Sequence, residues 1–233
     1  MDTSLIIPTH ERAHLLERSF GRLAELTVPE QIIVVDDGGT DNTRAVCEEA
    51  RRRHGLPILY MYNNNPGSTN CCLAKNIGLR HAEHEHLITT EPEVMFLTDA
   101  VAQFVAARED EEWQQRVICE RKAYHAPHEE ASLEECDDAQ PFYATSFMRG
   151  WLYEVGGWDE SFPDPWGWDD IDLYGRLDHL GHGRTPLPGI EILHQWHPSR
   201  VELAVKNEAH CRGKKFPRDL IANRGIRWGA LRT

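Results

Sequence analysis

Gln31-Ile32-Ile33-Val34-Val35-Asp36-Asp37-Gly38-Gly39-Thr40-Asp41 is the stretch on which the fold turns. The β-branched run from Ile32 to Val35 suits a strand covered on both faces, where polar and apolar residues need not alternate. Two carboxylates and two glycines follow at once. A buried strand that ends this way delivers polar groups to its carboxyl end, and the glycines let the backbone pass close to a ligand.

On the N-terminal side, Ser4-Leu5-Ile6-Ile7-Pro8 reads as a second buried strand. Thr9 is expected to cap the helix after it, in which Leu16, Phe20 and Leu23 recur at i, i+4 and i+7. On the C-terminal side the pattern predicts a helix over 41–54, a strand over 57–62, an Asn/Pro/Gly loop over 63–67, a helix over 69–81 and a strand over 87–90. This alternation predicts an α/β domain of parallel strands joined by right-handed crossovers. Ligands of such sheets sit at the carboxyl ends of the strands. Thr9, Asp36-Asp37 and Glu91-Pro92-Glu93 all fall there, so one polar pocket is expected. His81, His84 and His86, between a helix and a strand, are read as surface residues.

The chain has 233 residues, enough for one sizeable core. No apolar run approaches the ~20 residues of a membrane span, and the N-terminus lacks the pattern of a signal peptide. A cytoplasmic protein is expected, with peripheral membrane contact left open. Cys47, Cys71, Cys72, Cys119, Cys136 and Cys211 show no metal-binding spacing and read as free thiols. The net charge is −13, which argues against a nucleic-acid partner. The charge is uneven: residues 206–233 carry eight Lys/Arg against two Asp/Glu, so the rest holds −19. A basic tail on an acidic body wants an anion, or is simply solvated.

Past residue 99 the pattern weakens. Residues 109–138 are acid-rich, 141–147 resemble a strand, 169–180 a helix with Leu173, Leu177 and Leu180 as its stripe, and 189–193 a last strand. Trp166-Gly167-Trp168-Asp169-Asp170-Ile171-Asp172 puts three carboxylates in the first turn of that helix, beside two flat rings of the kind that stack on sugars. The carboxylates also suit the helix dipole, and the rings equally suit a core. Glu91 and Glu93 offer oxygen ligands for Mg²⁺ or Mn²⁺. His194 and His197 could complete such a shell, and Lys75 could reach a diphosphate.

Together these segments resemble a family 2 glycosyltransferase with the GT-A fold, a mixed, mostly parallel sheet flanked by helices. The resemblance covers about residues 3–200. Ser4 to Thr9 is similar to the opening strand, Val34 to Asp41 to the Val-Asp-Asp-Gly-Ser-Thr-Asp motif, and Lys75-Asn76-Ile77-Gly78 to an Arg-Asn-x-Gly segment. Glu91-Pro92-Glu93 stands where the family has Asp-x-Asp. Trp166 to Leu173 resembles the Glu-Asp-x-Asp-Leu motif and the Trp-Gly-Trp segment of galactosyl- and N-acetylgalactosaminyltransferases.

The resemblance implies a nucleotide-binding half over 1–98, an acceptor-binding half over 99–205 and a basic tail over 206–233, expected as a lid. It implies inverting transfer of a hexose or N-acetylhexosamine from a nucleotide sugar, a UDP-sugar above all. The acceptor would be a saccharide, a lipid-linked saccharide or another hydroxyl compound. Asp170 takes the role of base. Pro8, Thr9, Glu11, Arg12, Asp37, Gly38, Lys75 and Asn76 would bind nucleotide, with Asp37 on the uracil. Glu91, Trp166, Trp168, Asp169 and Asp172 would meet donor or acceptor sugar, and Glu93, His194 and His197 a divalent Mn²⁺ or Mg²⁺. Rival readings are a non-catalytic nucleotide-sugar-binding module, a sugar nucleotidyltransferase and a transferase acting on modified DNA.

Overall fold

The computed structural model of the chain describes residues 1–65, 69–125, 134–135, 143–163, 167–198 and 204–232. The opening strand β1 (Thr3–Thr9) and the Val-rich β2 (Gln31–Asp37) pair in parallel, Ile6 beside Ile33 and Thr9 beside Asp36. β3 (Ile58–Asn63) extends the sheet beyond β2, and β4 (His86–Thr90) lies on the other side of β1, both parallel. α1 (Ala13–Leu23), α2 (Thr43–His54) and α3 (Cys71–His81) form the crossovers. The expected β-α-β-α-β-α-β half is therefore present.

The second half turns the sheet mixed. β9 (Ala144–Met148) runs antiparallel between β4 and β6 (Val117–Cys119), and β10 (Arg184–Pro186) adds a parallel edge, giving the order β10-β6-β9-β4-β1-β2-β3. A smaller sheet, with the order β5-β11-β7-β8, is built from β5 (Val94–Phe96), β7 (Lys122–His125), β8 (Glu134–Glu135) and β11 (Glu191–His194). α4 (Ala100–Arg108), α5 (Arg149–Glu154), α6 (Asp169–His179) and α7 (Ala204–Gly213) are the remaining helices among the described residues. The last strand expected over 189–193 is β11, whereas β5, β7, β8, α4, α5 and α7 carry no strong period and escape sequence reading.

The unbroken apolar strands have the expected cause. Leu5, Ile7, Ile32 and Val34 face one core with Leu16 and Phe20 of α1 and Cys47 of α2. Ile6, Ile33 and Val35 face the other with Ile77 of α3 and Leu173 and Leu177 of α6. A Cβ at Gly78 would run into Ile6, so this glycine lets α3 lie close on the sheet.

Several boundaries shift for identifiable reasons. Thr9 ends β1 rather than capping α1; the Asp41 carboxylate accepts from the Ala13 N–H at 2.9 Å instead. The same carboxylate accepts from the Thr43 N–H at 3.1 Å, so α2 begins two residues later than expected. Asn70 caps α3 by accepting from the Leu73 N–H at 3.0 Å.

The tail expected as a lid is held on the body. It begins inside α7, which crosses residue 206. Lys214 Nζ lies 2.5 Å from Asp159 and 2.7 Å from Asp172. The Ala222 N–H donates to Val155 O at 2.9 Å, and the Gly229 N–H to Glu160 at 2.6 Å. Part of the anion this basic segment wants is the protein's own acidic body.

His86 is also corrected: it is fully buried, not on the surface. Its ring sits between the Thr3 and Ser146 hydroxyls, each at 2.8 Å. Burial, and then the Arg108 cation, push its pKa down to about 3. The folded pKa is thus below the unfolded value, so the stability it contributes is present above about pH 6.5 and is lost as pH falls toward 3. Below pH 6 the unfolding free energy should fall less steeply in His86→Gln than in the wild type, by about 1.4 kcal/mol per pH unit. Urea titrations at stepped pH check this; equal slopes overturn it.

Candidate active site

The carboxyl ends of the central strands surround a cleft of about 400 Å³. Pro8 and Thr9 reach it from β1, Glu11 and Arg12 from the turn before α1, and Asp37 from β2. Glu91 and Glu93 reach it from the turn after β4, and His197 from the segment after β11. These residues were expected at a shared pocket, and parallel pairing brings them there. The Thr9 hydroxyl is buried and has no hydrogen-bond partner among the described residues. A buried hydroxyl on a cleft wall is a ready partner for a ligand. Glu11 holds a positive φ of 55°, a strained conformation for a residue with a side chain, while accepting from the Thr40 hydroxyl at 2.9 Å.

The two aspartates of β2 do different work. Asp36 points into the sheet, accepting from the Gly39 N–H at 3.0 Å and the Tyr60 hydroxyl at 2.8 Å. Burial raises its pKa. Asp37 is turned to the cleft and gripped from one side. Asn63 Nδ2 donates to it at 2.5 Å, Asn65 Nδ2 at 3.1 Å and the Asn70 N–H at 2.6 Å. Gly38 takes a φ of 77°, and a Cβ there would strike the Asn65 carbonyl, so the turn requires glycine.

Lys75, expected at a diphosphate, is buried in a cage of carboxylates. Its Nζ lies 3.0 Å from Asp169, 3.2 Å from Asp170 and 3.3 Å from Glu91. Burial works against the ammonium, yet the three negative charges hold its pKa well above the usual lysine value. The lysine holds together carboxylates that come from two distant segments. Asp170 is raised to about 6, by burial first and then by Asp169. Glu91 is raised to about 7, chiefly by burial.

The two glutamates of Glu91-Pro92-Glu93 therefore serve different partners. Glu91 faces the lysine, whereas Glu93 faces two imidazoles. His197 Nε2 is 3.1 Å and His194 Nε2 3.8 Å from Glu93 Oε1. Antiparallel pairing of β5 and β11 sets His194 beside Val94, and the Gln195 N–H donates to the Glu93 carbonyl at 2.9 Å. Burial would raise the Glu93 carboxyl, but the His197 hydrogen bond and the neighbouring imidazoles pull it below its usual value. One donor atom from each of the three lies within 4.8 Å of the others. A carboxylate with two imidazoles is a donor set that fits a divalent transition ion.

Other expected site residues lie elsewhere. Asn76 faces away from the cleft: its Nδ2 donates to the Trp158 carbonyl at 2.8 Å and to Glu160 at 2.9 Å, and its Oδ1 accepts from the Trp158 N–H. Asp172 is buried in an ion pair with Arg176 at 2.9 Å and with Lys214, so no face remains for a sugar. Trp168 caps α6 with a φ of 68°, and the Arg212 guanidinium lies 5.1 Å over its ring. Trp166 falls outside the described residues. Residues not foreseen at the cleft include His10, Pro198 and, around the start of α3, Thr69, Cys71 and Ala74. Nor was the asparagine grip on Asp37 foreseen. Its signal was the run Asn63-Asn64-Asn65 at a strand end, which reads as a loop by composition alone.

Residues 4–151 match the model of the family described as "Glycosyl transferase family 2". The chain is 29% identical to validoxylamine A glucosyltransferase of Streptomyces hygroscopicus subsp. limoneus, over 99% of this chain and 61% of that protein. A protein of the same name from subsp. jinggangensis is also 29% identical, and 66% of it is covered. The chain thus spans about two thirds or less of the relatives' length. Among solved structures it is similar to the mannosyltransferase PcManGT of Pyrobaculum calidifontis in complex with GDP-Man and Mn²⁺. The TM-score is 0.70 and the identity 19%, over 93% of this chain and 66% of that one. It is also similar to TarS of S. aureus in complex with UDP-GlcNAc, with a TM-score of 0.67 and 14% identity, over 92% and 62%. These likenesses show a shared GT-A fold. Among the described residues no helix is long and apolar enough to cross a membrane.

Proposed function

The chain belongs to glycosyl transferase family 2, and we propose that it moves a hexose or N-acetylhexosamine from a UDP-sugar to an acceptor hydroxyl with inversion. One observation carries the reading: Glu93 and His197 line the same cleft as Thr9 and Asp37, with the Asp170 and Lys75 cluster joined to it through Glu91.

Asp37 and Thr9 bind the nucleoside, and Arg12 faces its phosphates. Glu93, His194 and His197 would hold a divalent cation, Mn²⁺ in the first instance, and it would supply positive charge against the departing diphosphate. Asp170 accepts the acceptor's proton as its oxygen attacks the anomeric carbon. A carboxyl raised to about 6 is nearly all carboxylate at neutral pH and more basic than an ordinary aspartate. Lys75 orients Asp170 and Asp169 through ion pairs at 3.2 and 3.0 Å. Asp169 and Glu91 border the sugar. The residues beyond 98 supply the acceptor side, and the five free cysteines among the described residues suit the cytoplasm, Cys136 lying outside them.

The test is a thermal-unfolding panel of UDP, GDP, dTDP and CMP, each with EDTA, Mg²⁺ or Mn²⁺. UDP at ~100 times its Kd should stabilise the fold by about 2.7 kcal/mol, and Mn²⁺ should enlarge the effect. His197→Ala should abolish the Mn²⁺ increment and keep the metal-free shift. A preference for GDP would overturn the donor base, and an equal UDP shift in EDTA would overturn the metal site. Release of pyrophosphate rather than UDP during turnover would point to a sugar nucleotidyltransferase.

A further inference from the structure

We infer that Arg232 is a positioning residue for the nucleotide pocket, aiming the Asn63 and Asn65 carboxamides at Asp37. The inference rests on the proposed role of Asp37 at the nucleotide and adds a distant segment to that site.

A carboxamide has an acceptor end and a donor end, and fixing one end fixes where the other points. At Asn63, Oδ1 accepts from the Arg232 backbone N–H at 2.8 Å, so Nδ2 is left to donate to Asp37 Oδ1 at 2.5 Å. At Asn65, Oδ1 accepts from Arg232 Nη1 at 2.7 Å, so Nδ2 is left to donate to both Asp37 oxygens at 3.2 and 3.1 Å. The Arg232 carbonyl closes the pairing by accepting from the Asn64 N–H at 2.9 Å. One residue, 167 positions from Asn65, thus holds the oxygen end of both side chains that donate to Asp37.

The geometry is that of a strap rather than a packing contact. Asn63 and Asn65 are buried, whereas Arg232 is exposed. The segment before it is anchored independently: Trp228 packs on the core and the Gly229 N–H is held by Glu160. Without the guanidinium, the Asn65 amide loses the charged donor that fixes its oxygen end, and its grip on Asp37 loosens. Asp37, still held by Asn63 and Asn70, is then less firmly fixed in the position proposed to meet a base or ribose. The charged fork of arginine also keeps a positive charge next to the amide dipoles that face Asp37.

The experiment compares wild type, Arg232→Ala, Arg232→Lys, Asp37→Asn and the Arg232→Ala/Asp37→Asn double variant. UDP affinity is read by calorimetry, steady-state KM and kcat by UDP release, and the Asn side-chain amide signals by NMR. Arg232→Ala should weaken UDP binding about tenfold, the equivalent of one lost charge-assisted hydrogen bond. KM for the donor should rise and kcat should hold. Arg232→Lys should recover part of the loss, and the double variant should bind no more weakly than Asp37→Asn alone. The Asn65 amide protons should lose their protection from exchange in Arg232→Ala with or without UDP. Unchanged UDP affinity in Arg232→Ala, or losses that simply add in the double variant, would overturn the inference. Unchanged affinity in Asp37→Asn would overturn the nucleotide role of Asp37 itself; the amide signals then show separately whether Arg232 orients Asn65.

Discussion

Asp170→Asn is expected to lower kcat by about two to four orders of magnitude, the usual worth of a positioned general base, while the donor KM stays within about twofold. The amide has the shape of the carboxyl but cannot take a proton from the acceptor. Lys75 keeps Asp169 and Glu91 as partners, so the fold should tolerate the change. The pH profile gives a second readout. The Asp170 carboxyl is raised to about 6 by burial and by Asp169. Its carboxylate form, the form that accepts a proton, therefore appears as pH rises through about 6, and the wild-type rate should climb there and level off above 7. Stopped assays of UDP release from pH 5 to 8 check both statements. An Asp170→Asn enzyme that turns over at the wild-type rate, or keeps the wild-type inflection, removes Asp170 from the role of base.

Lys75→Met should be the most destabilising single change at the site, by about 3–5 kcal/mol at neutral pH. Methionine nearly matches the lysine stem but leaves Asp169, Asp170 and Glu91 facing one another with no cation. Asp169 is buried, whereas Asp170 and Glu91 are about 30% exposed, so water shields part of the repulsion and the lower half of that range is expected. The pH dependence has a definite sign. Glu91 already titrates near 7 and Asp170 near 6 with the lysine present; without it both rise further. Carboxyls whose folded pKa exceeds the unfolded value destabilise the fold as pH rises through that interval, and the penalty fades once they are protonated. The gap between Lys75→Met and wild type should therefore shrink on acidification from pH 8 to 5.5. Denaturant unfolding across that range measures it, and a gap independent of pH would mean that the lysine acts through packing alone.

Much of the fold was legible in the sequence because its signals are local. Ile32 to Val35 and Leu5 to Ile7 could hardly be anything but strands covered on both faces. The period of Leu16, Phe20 and Leu23 fixed a helix, whereas the close approach of α3 to the sheet at Gly78 showed only in the structure. Once the strands are parallel, Thr9, Asp37 and Glu91 must emerge along one edge, so the cleft too was legible. The family resemblance rested on the same segments. What failed were assignments that depended on which way a side chain turns. Asn76 and Asp172 sit next to residues of the site in sequence, but helical spacing turns them into the core, where Trp158 and Arg176 take up their polar atoms.

The sequence by itself determined the parallel half-sheet, the polar ends of its strands and the acidic turn of α6, because each is written in consecutive residues. Only the tertiary structure decided the partners. Lys75 meets Asp169 across 94 positions and His197 meets Glu93 across the β5–β11 pairing. Arg232 returns to Asn65 from the far end of the basic segment, which lies on the body. Long-range charge pairs leave no periodicity in a chain. They are selected when packing has removed water from the cleft wall, so that each buried charge must find its counter-ion among whatever the fold has brought near.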